Sequence, residues 1–367
     1  MTVTAQGGFD ETLSVSADTT GLAAETLYEA AITLNAPQED ILQSETVFVA
    51  LWVSENAAEA DTSTASSAVE IIADPIRPYA YVHSDGGNID VVNIYTGAVD
   101  GTFQNVVANA GDMAISDTGQ HLYVHDRVSE TTVPVDLSNG TILEPLSTGA
   151  LTRLSFGRVD GKAILLTDRN LILDPDGNRF LWNQFDPTGV GVVSGDANVV
   201  TSRENNIVCA MNEGISPATI GCFQSRYFYS EDALEIRARA VVTEGTIASN
   251  GQDIAISRDG SKLYVASGGI YEFVTLDTSD LSVLNRVPID PFARNIETSP
   301  DGRVIGNTDF PSLDDEDSYV LDEDGNEIDS FNLGDGDILA RQLVISGDSL
   351  RTVGLAEAGT IEIRTFD

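Results

Sequence analysis

One short pattern recurs along this chain at nearly even intervals. The stretch AISRDGSKLYVASG, from Ala255 to Gly268, contains an apolar run, a turn of the Ser-Pro-Asp-Gly kind and a second apolar run. Near copies begin at Ala114, Glu297 and Val344. The aligned turns lie 42 to 55 residues apart and give seven anchor positions: Asp74, Ser116, Arg158, Ser202, Ser257, Ser299 and Ser346.

The length of the repeat predicts the architecture. Periods of about 40 to 50 residues are typical of β-propeller blades, which are four-stranded antiparallel sheets. The apolar runs are short, rich in Val, Ile and Tyr, and closed by turn residues, as strands are. Gly177 and Gly325 are predicted to supply positive φ in Asp-Gly turns. We therefore expect an all-β chain with a seven-bladed β-propeller over residues 68–367, and an insertion after Ser202, where the interval is 55.

The best-formed repeats resemble a known family. The stretch SRDGSKLYVASGGIYEFVTLD joins a Ser-x-Asp-Gly turn, a Tyr-Val strand and a strand that ends in Asp. It resembles the YVTN-type repeats of bacterial β-propellers related to surface-layer and cell-surface proteins. The resemblance covers roughly residues 68–367. It implies a binding or adhesion module, although similar propellers include lactonases, lyases and haem-binding domains, so it identifies a fold better than an activity.

Closure of the ring needs a strand from the amino-terminal part of the chain. After Ser346 only 21 residues remain, which is enough for the second and third strands of the last blade but not for the fourth. An open blade would leave unpaired backbone groups at the seam. The apolar run VFVALWVS, Val47 to Ser54, is predicted to pair with TIEIRTF near the carboxyl end, and residues 55–67 are interpreted as a linker.

Residues 1–54 are interpreted as a short immunoglobulin-like β segment. ETLSVSADTTGLAAETLYEAAITLNAP contains two alternating strands around a turn. Its length is small for an independent sandwich, which usually takes about 100 residues. Two arrangements remain open: the segment packs on the propeller, or the sequence begins inside a longer multi-module protein.

Charge limits the partners of this chain. The 58 acidic and 19 basic residues give a net charge of -39. Such a field repels nucleic acid and anionic membranes, whose binding depends on Lys and Arg. No apolar stretch approaches the roughly 18 residues of a membrane-spanning helix. The acidity fits either solubility in salty surroundings or cation binding at particular loops, and we expect an isolated monomer or a part of a longer chain.

The two cysteines are predicted to form a disulfide. Cys209 and Cys222 flank a hairpin loop and face each other if the hairpin is symmetrical about residues 215 and 216. The alternative is a pair of buried free thiols. A disulfide favours an oxidising compartment, so we expect a secreted, periplasmic or cell-surface protein.

Loops on one face of the ring converge on the central channel and form the predicted ligand-binding site. Its residues are His83, Asp85, Asp112, His125, Asp126, Arg127, Arg153, Arg169, Asp253, Arg294, Asn295 and Arg341. The arginines suit capture of a small anion or of a partner's acidic loop. The alternative is that each arginine pairs with a neighbouring carboxylate and holds adjacent blades in register. Donors left free on Arg153, Arg294 and Arg341 would favour a recognition module. Full pairing of all three with Asp or Glu would favour a structural segment.

Catalysis and metal binding have weaker signals. His83 and His125 occupy matching places in consecutive repeats, as an acid–base or metal pair would, or as hydrogen-bonded structural residues would. No known nucleophile turn, metalloprotease helix or phosphate loop occurs in the sequence. The acidic stretch Leu313 to Asp337 departs from the helical calcium-loop pattern, so no cofactor is predicted, with calcium at Asp314 to Asp317 as the alternative.

These observations give three hypotheses about function. The first is a non-enzymatic recognition or scaffolding module that presents its loops to a glycan, a peptide or a neighbouring surface protein. The second is a propeller lactonase or lyase that uses His83 or His125, which requires both imidazoles at a shared cavity and a carboxylate within hydrogen-bond reach. The third is a purely structural segment of a large adhesin.

Overall fold

Every strand of this chain belongs to an antiparallel sheet. The structure is a computed structural model, and it describes residues 3–6, 14–34, 45–54, 61–168, 172–182, 197–289, 292–309, 316–334 and 336–365. These residues contain 32 strands and no helix. Accordingly, no helix that could cross a membrane is found in the described part of the chain.

The first four blades follow one another along the chain, and in each the first strand is innermost. Their strands are β6 (Glu70–Ala73), β7 (Tyr79–His83), β8 (Ile89–Asn93) and β9 (Val99–Phe103) in blade one; β10 (Ala110–Ile115), β11 (His121–Asp126), β12 (Thr131–Asp136) and β13 (Thr141–Ile142) in blade two; β14 (Leu154–Val159), β15 (Lys162–Thr167), β16 (Ile172–Asp174) and β17 (Arg179–Trp182) in blade three; and β18 (Ala197–Thr201), β19 (Ile207–Asn212), β20 (Thr219–Phe228) and β21 (Ala233–Thr243) in blade four.

The last three blades complete the ring. Their strands are β22 (Gly251–Ile256), β23 (Lys262–Ser267), β24 (Glu272–Asp277) and β25 (Val283–Pro288) in blade five; β26 (Ala293–Thr298), β27 (Val304–Thr308), β28 (Ser318–Leu321) and β29 (Glu327–Phe331) in blade six; and β30 (Ile338–Ile345), β31 (Arg351–Ala356), β32 (Thr360–Thr365) and β5 (Thr62–Ala65) in blade seven. The prediction of seven four-stranded antiparallel blades is confirmed.

The recurrent serine explains why the repeat is readable in the sequence. In four blades its hydroxyl oxygen accepts a hydrogen bond from the amide five residues later, at 2.9 to 3.0 Å. These serines are Ser116, Ser202, Ser257 and Ser346, and all four are buried. Each one satisfies a buried amide at the start of the second strand, which a serine does without adding bulk.

Two turns differ from their sequence-based description. Arg158 lies within β14, because blade three replaces the serine turn with a tight Asp160-Gly161 turn whose φ values are 48° and 78°. In the turn between β16 and β17 the positive φ belongs to Asn178, at 45°, and not to Gly177. Glycine is needed at position 177 because a Cβ there would lie 2.7 Å from Asp174 Oδ2. Gly325 has the predicted positive φ, 79°.

The core is divided into clusters that lie between adjacent blades. One cluster joins Val353, Leu355 and Ile363 of blade seven to Ile71 and Val82 of blade one. Burial of these apolar surfaces favours closure, because each blade covers one face of its neighbour. The first and last blades are therefore packed together as the other pairs are.

The disulfide lies in blade four and is confirmed as predicted. Cys209 on β19 faces Cys222 on β20 in the register of the hairpin, and the two sulfurs are bonded. The insertion expected in this blade also appears, as a hairpin of long strands: β20 has 10 residues and β21 has 11. The extra residues extend an existing strand pair and leave the ring unchanged.

The identity of the closing strand was predicted wrongly. Ser63 of β5 pairs with Glu362 of β32, and Thr62 with Ile363, so residues 62–65 close blade seven inside the stretch interpreted as a linker. The apolar run from Val47 pairs instead with β3 (Thr26–Leu34), as part of β4 (Glu45–Val53). An outermost propeller strand leaves one face in solvent, so a Thr-Ser-Thr-Ala strand with alternating exposure suffices there.

Chain spacing agrees with this assignment. β25 ends at Pro288 and β26 begins at Ala293, so the last strand of blade five ends a few residues before the inner strand of blade six. β5 ends at Ala65 and β6 begins at Glu70, which is the same spacing.

The amino-terminal residues form two hairpins. β1 (Val3–Gln6) pairs with β2 (Ser14–Ala17), and β3 pairs with β4 over nine residues. The β3–β4 hairpin packs on the ring, since Trp52 contacts Tyr79 edge to face with ring centroids 5.9 Å apart. Of the two arrangements left open by the sequence, contact with the propeller is therefore observed, while an immunoglobulin-like character stays a prediction.

Truncation from the amino terminus distinguishes the two closing strands. We expect a chain that lacks residues 1–54 to keep a closed ring, and a chain that lacks residues 1–66 to melt more than about 5 °C lower than that first variant, because β32 then has an unpaired edge. Thermal unfolding followed by circular dichroism measures both values. Equal melting temperatures for the two truncated chains would contradict the assignment of β5.

Candidate functional site

The innermost strands surround an axial channel. We call the end reached by the loops between second and third strands the top, and the end reached by the serine turns the bottom. The upper part of the channel is a cavity of about 210 Å³ lined mainly by polar side chains. They include Glu70, Asp112, Arg153, Asn198, Asp253, Glu297, Arg341 and Gln342. The convergent site predicted from the sequence therefore corresponds in part to this cavity.

One position in the inner strand ties five of the seven blades to the next blade. It lies four residues before the anchor of the repeat, and it is occupied by Glu70, Asp112, Asn198, Asp253 and Gln342 in five blades. Glu70 Oε1 accepts a hydrogen bond from the amide of Met113 in blade two, at 3.2 Å. The carboxylate of Asp112 in turn accepts one from the amide of Leu154 in blade three.

The same connection continues on the other side of the ring. Asn198 Nδ2 donates to the carbonyl of Gln252 in blade five, at 2.9 Å. Asp253 Oδ2 accepts from the amide of Ile296 in blade six, at 3.1 Å. Gln342 Oε1 accepts from the amide of Ile71 in blade one, at 2.8 Å. We call these five side chains the channel belt.

Two blades depart from the belt. Asn295 holds the equivalent position in blade six but is fully buried, and its Nδ2 donates to Asn307 Oδ1 of its own blade at 3.2 Å. Blade three has the apolar Leu154 at this position and provides only its backbone amide. Of the predicted site residues, Asp112 and Asp253 thus line the channel, whereas Asn295 stabilises the interior of its blade.

Burial changes the acidity of the channel carboxyl groups. Loss of hydration raises the pKa of Glu70 well above its usual range, and the neighbouring Asp112 raises it further. Burial likewise raises the pKa of Asp112 and, strongly, that of Asp253. Glu297 lies below the belt, and burial raises its pKa to about 7. The channel wall therefore contains several carboxyl groups that bind protons more readily than ordinary surface acids.

Glu213 joins two arginines across the top opening. It lies in the loop between β19 and β20, forms an ion pair with Arg341 of blade seven, and is 3.4 Å from Arg153 Nη2 of blade three. Arg153 Nη1 also lies 3.9 Å from Asp112. Residues of three blades therefore meet above the cavity and neutralise one another.

The other arginines of the predicted site are also paired where they are described. Arg294 Nη1 lies 2.5 Å from Asp309 and 3.1 Å from Glu357, which links blades six and seven. Arg127 lies 3.7 Å from Asp85, and both side chains are largely exposed, so this pair contributes little. Arg169 lies outside the described residues. The sequence left open that each arginine pairs with a neighbouring carboxylate. Such ion pairs are found at Arg127, Arg153, Arg294 and Arg341.

The two histidines lie between blades one and two and not in the channel cavity. His83 Nε2 is 2.8 Å from the carbonyl oxygen of Gly111, and its Nδ1 is 3.0 Å from that of Ser84. His125 approaches the same glycine, where an added Cβ would lie 3.2 Å from its Cδ2. Burial lowers the pKa of both imidazoles. Asp126, in turn, accepts hydrogen bonds from the amides of Asn109 and Val128.

The acidic stretch from Leu313 to Asp337 is described only in part. Residues 313–315 and 335, which include Asp314 and Asp315, lie outside the described residues. Asp317 is buried, and its Oδ1 accepts a hydrogen bond from the amide of Leu333 at 2.8 Å. Within the described ranges no group of three His, Cys, Asp or Glu side chains is arranged to hold a metal ion.

Sequence reasoning missed Glu70 and Glu297. Each lies inside an apolar strand pattern, which gives no sign of a carboxylate that faces the channel. Glu70 could have been found from its offset, since it lies four residues before Asp74 just as Asp112 lies four before Ser116. Glu297 has no such signal, because its blade places Asn295 at that offset.

Comparison with known proteins identifies the fold and no family. No family model matches the chain, and no curated protein matches it in sequence. The β-propeller domain of Cps50 (Swd1) from Myceliophteria thermophila has a TM-score of 0.62 at 9% identity, covering 84% of this chain and 100% of that domain. Hydrazine synthase from Kuenenia stuttgartiensis has a TM-score of 0.58 at 13% identity, covering 85% and 98% of the two chains. At these identities the likeness shows a shared β-propeller fold alone.

Two substitutions at Asp253 test the channel belt. Asp253→Ala leaves the amide of Ile296 without its acceptor and is expected to cost about 1–3 kcal/mol of unfolding free energy. Asp253→Asn keeps an acceptor oxygen for the amide of Ile296 and loses the one that accepts from the amide of Ile254, so its loss of stability should be smaller than that of Asp253→Ala. Urea unfolding measures both. Equal losses in the two variants would contradict the hydrogen-bonding role.

Stability is expected to fall as pH rises through the titration of Glu297. A pKa raised in the folded state stabilises the fold below the unfolded value, 4.5, and this contribution is lost as pH rises through about 7. The loss reaches at most about 3 kcal/mol, since one pKa unit is worth about 1.4 kcal/mol.

Urea unfolding between about pH 5 and pH 8, at fixed ionic strength, measures this dependence. Glu297→Gln should reduce the fall in stability relative to the wild type. Glu327→Gln, at an exposed glutamate of β29, removes the same charge and should leave the fall unchanged. Parallel curves for wild type and Glu297→Gln would refute the assignment.

Proposed function

We propose that this chain is a non-enzymatic scaffolding or recognition module of a secreted or cell-surface protein. The observation that supports this proposal is that charged groups at the top opening form ion pairs across blades, as Glu213 does with Arg153 and Arg341. Groups held in this way fix the geometry of a ring and leave little freedom for binding a substrate. A rigid ring with loops on two faces suits presentation of a surface to a partner.

The pairing of the arginines changes where recognition would take place. Free donors on Arg153, Arg294 and Arg341 would have favoured anion binding at the top opening. All three arginines instead form ion pairs, while Arg153 Nε lacks a hydrogen-bond partner within the described residues. The top opening is therefore assigned a structural role, and partner contact is assigned to other surfaces of the ring. The candidate partners remain a glycan, a peptide or a neighbouring surface protein.

Three features support a location outside the cytoplasm. The Cys209–Cys222 disulfide is typical of oxidising compartments. The net charge of -39 gives a strongly acidic surface, which keeps a protein soluble in concentrated salt. The YVTN-type repeat, which resembles those of bacterial surface proteins, points in the same direction.

The lactonase or lyase alternative has less support from the geometry. It required His83 and His125 at a shared cavity with a carboxylate in reach. Both ring nitrogens of His83 instead lie against backbone carbonyl oxygens, and neither histidine is among the residues that line the upper channel cavity. The hydrogen bond of His83 to Gly111 favours a role for His83 in holding blade one against blade two.

Fractionation of cells that produce the full-length protein tests the location. We expect the chain in the envelope or the medium, accessible to protease added to intact cells, with the two cysteines resistant to thiol labelling until a reductant is added. Cytoplasmic retention with both thiols labelled would overturn the extracellular assignment. A lactone hydrolysis that is lost in His83→Gln but kept in the folded control His121→Gln would overturn the non-enzymatic assignment.

A further inference from the structure

A large cavity lies between the β3–β4 hairpin and the bottom of the ring. Its volume is about 760 Å³, which falls in the range of ligand sites, about 300–1,000 Å³. Ala30, Val49 and Ala50 of the hairpin form one wall, and the loops between the first and second strands of blades one to four form the other. It is lined by residues of both units, so it exists only because the hairpin packs on the propeller.

The hairpin is held in place at two points near this cavity. Trp52 contacts Tyr79 of blade one edge to face. Gln120 Nε2 of blade two donates to Glu29 Oε1 of the hairpin, at 3.2 Å. Gln120 and Glu29 both line the cavity, so this hydrogen bond spans its two walls.

The cavity wall offers hydrogen-bond donors and acceptors side by side. Asp117 accepts from Arg158 Nε at 2.7 Å, and Asp160 accepts from the side-chain Nδ2 of Asn206 at 2.7 Å. Each carboxylate keeps further acceptor positions beyond these bonds. Arg203 adds a guanidinium that forms no ion pair with any residue in the described ranges, and it lines the lower channel as well as this cavity.

This mixture of groups selects a class of ligand. An anion would meet the carboxylates of Asp117, Asp160 and Glu204 on the same wall, and a bare cation would meet the guanidinium of Arg203. Hydroxyl groups both donate and accept, so they match both kinds of partner. The small apolar side chains of Ala30 and Ala50 suit the C–H face of a sugar ring.

An exposed aromatic residue lies at the rim on the ring side. Tyr229 is 46% exposed, and its hydroxyl donates to the carbonyl oxygen of Asp160 at 2.9 Å. An amphipathic ring of this kind offers an apolar face next to a polar edge.

We infer that this cavity binds a short neutral glycan, two or three sugar units long, between the hairpin and the propeller. The inference rests on the proposed function, because it names the ligand class of a surface recognition module. It assigns binding to the bottom of the ring, where Arg203 forms no ion pair within the described residues, and not to the top opening, where the arginines are neutralised.

The test is calorimetric titration of the full chain with four neutral trisaccharides: maltotriose, cellotriose, mannotriose and triacetylchitotriose. We expect one saturable site for at least one of them. Ala30→Trp fills the cavity and should abolish binding. Arg203→Gln removes one charged donor and should weaken binding about tenfold. No binding of any of the four sugars by the folded wild type would overturn the inference.

Two control variants separate the cavity from general effects. Ala24→Trp adds the same side chain at an exposed position of the turn before β3, and Arg239→Gln removes the same charge on β21, away from the cavity. Both should bind as the wild type does, and equal losses in a variant and its control would overturn the site. Far-ultraviolet circular dichroism confirms folding of each variant. Cytoplasmic location with intact sugar binding would reject the proposed function alone.

Discussion

The hydrogen bonds of the channel belt are the interaction on which the ring depends. The backbone hydrogen bonds of a propeller blade lie within its own four-stranded sheet. Neighbouring blades could therefore slide on one another if apolar packing alone joined them. The belt prevents this, because side chains such as Glu70 and Gln342 bond to backbone amides of the next blade at 3.2 and 2.8 Å. A backbone amide has a fixed place in the strand, and a bond to it therefore fixes the register between blades. Bonds around the axis act together, since movement of one blade would strain contacts at both of its neighbours.

The use of carboxylates in the belt has an electrostatic cost that the surrounding charges partly offset. Burial raises the pKa of Glu70 and Asp253, so these groups are less acidic than carboxyl groups in water. Glu213 adds a further negative charge above them, and Arg153 and Arg341 compensate it. The arginines at the top opening are thus required by the acids below them. This explains why a chain with a net charge of -39 places Arg153 and Arg341 at the top opening of its channel.

The sequence was sufficient for the architecture and insufficient for the partners of individual side chains. The seven blades were readable because each serine turn, as at Ser116 or Ser257, needs a small buried hydroxyl at a fixed distance from the next strand. The closing strand was predicted wrongly because apolar sequence does not identify it. Thr62–Ala65 lies at the outer edge of its blade, where alternate side chains are exposed to solvent. Ion pairs such as that of Glu213 with Arg341 join residues 128 positions apart. No local pattern predicts them, since they depend on how two loops converge on the axis.

The β3–β4 hairpin at the bottom of the ring is not joined to the channel belt, and its docking depends on other contacts. A two-stranded hairpin is marginally stable alone in water, so the position of β3 and β4 depends on contacts such as Trp52 with Tyr79. A ligand held between the two walls would add contacts that the undocked hairpin lacks, and by mass action it would favour the docked state. Binding and docking would then stabilise each other while the rigid ring stayed unchanged. The belt is what makes this coupling local, because a ring fixed at its axis does not transmit the movement of a hairpin to the blades on its far side.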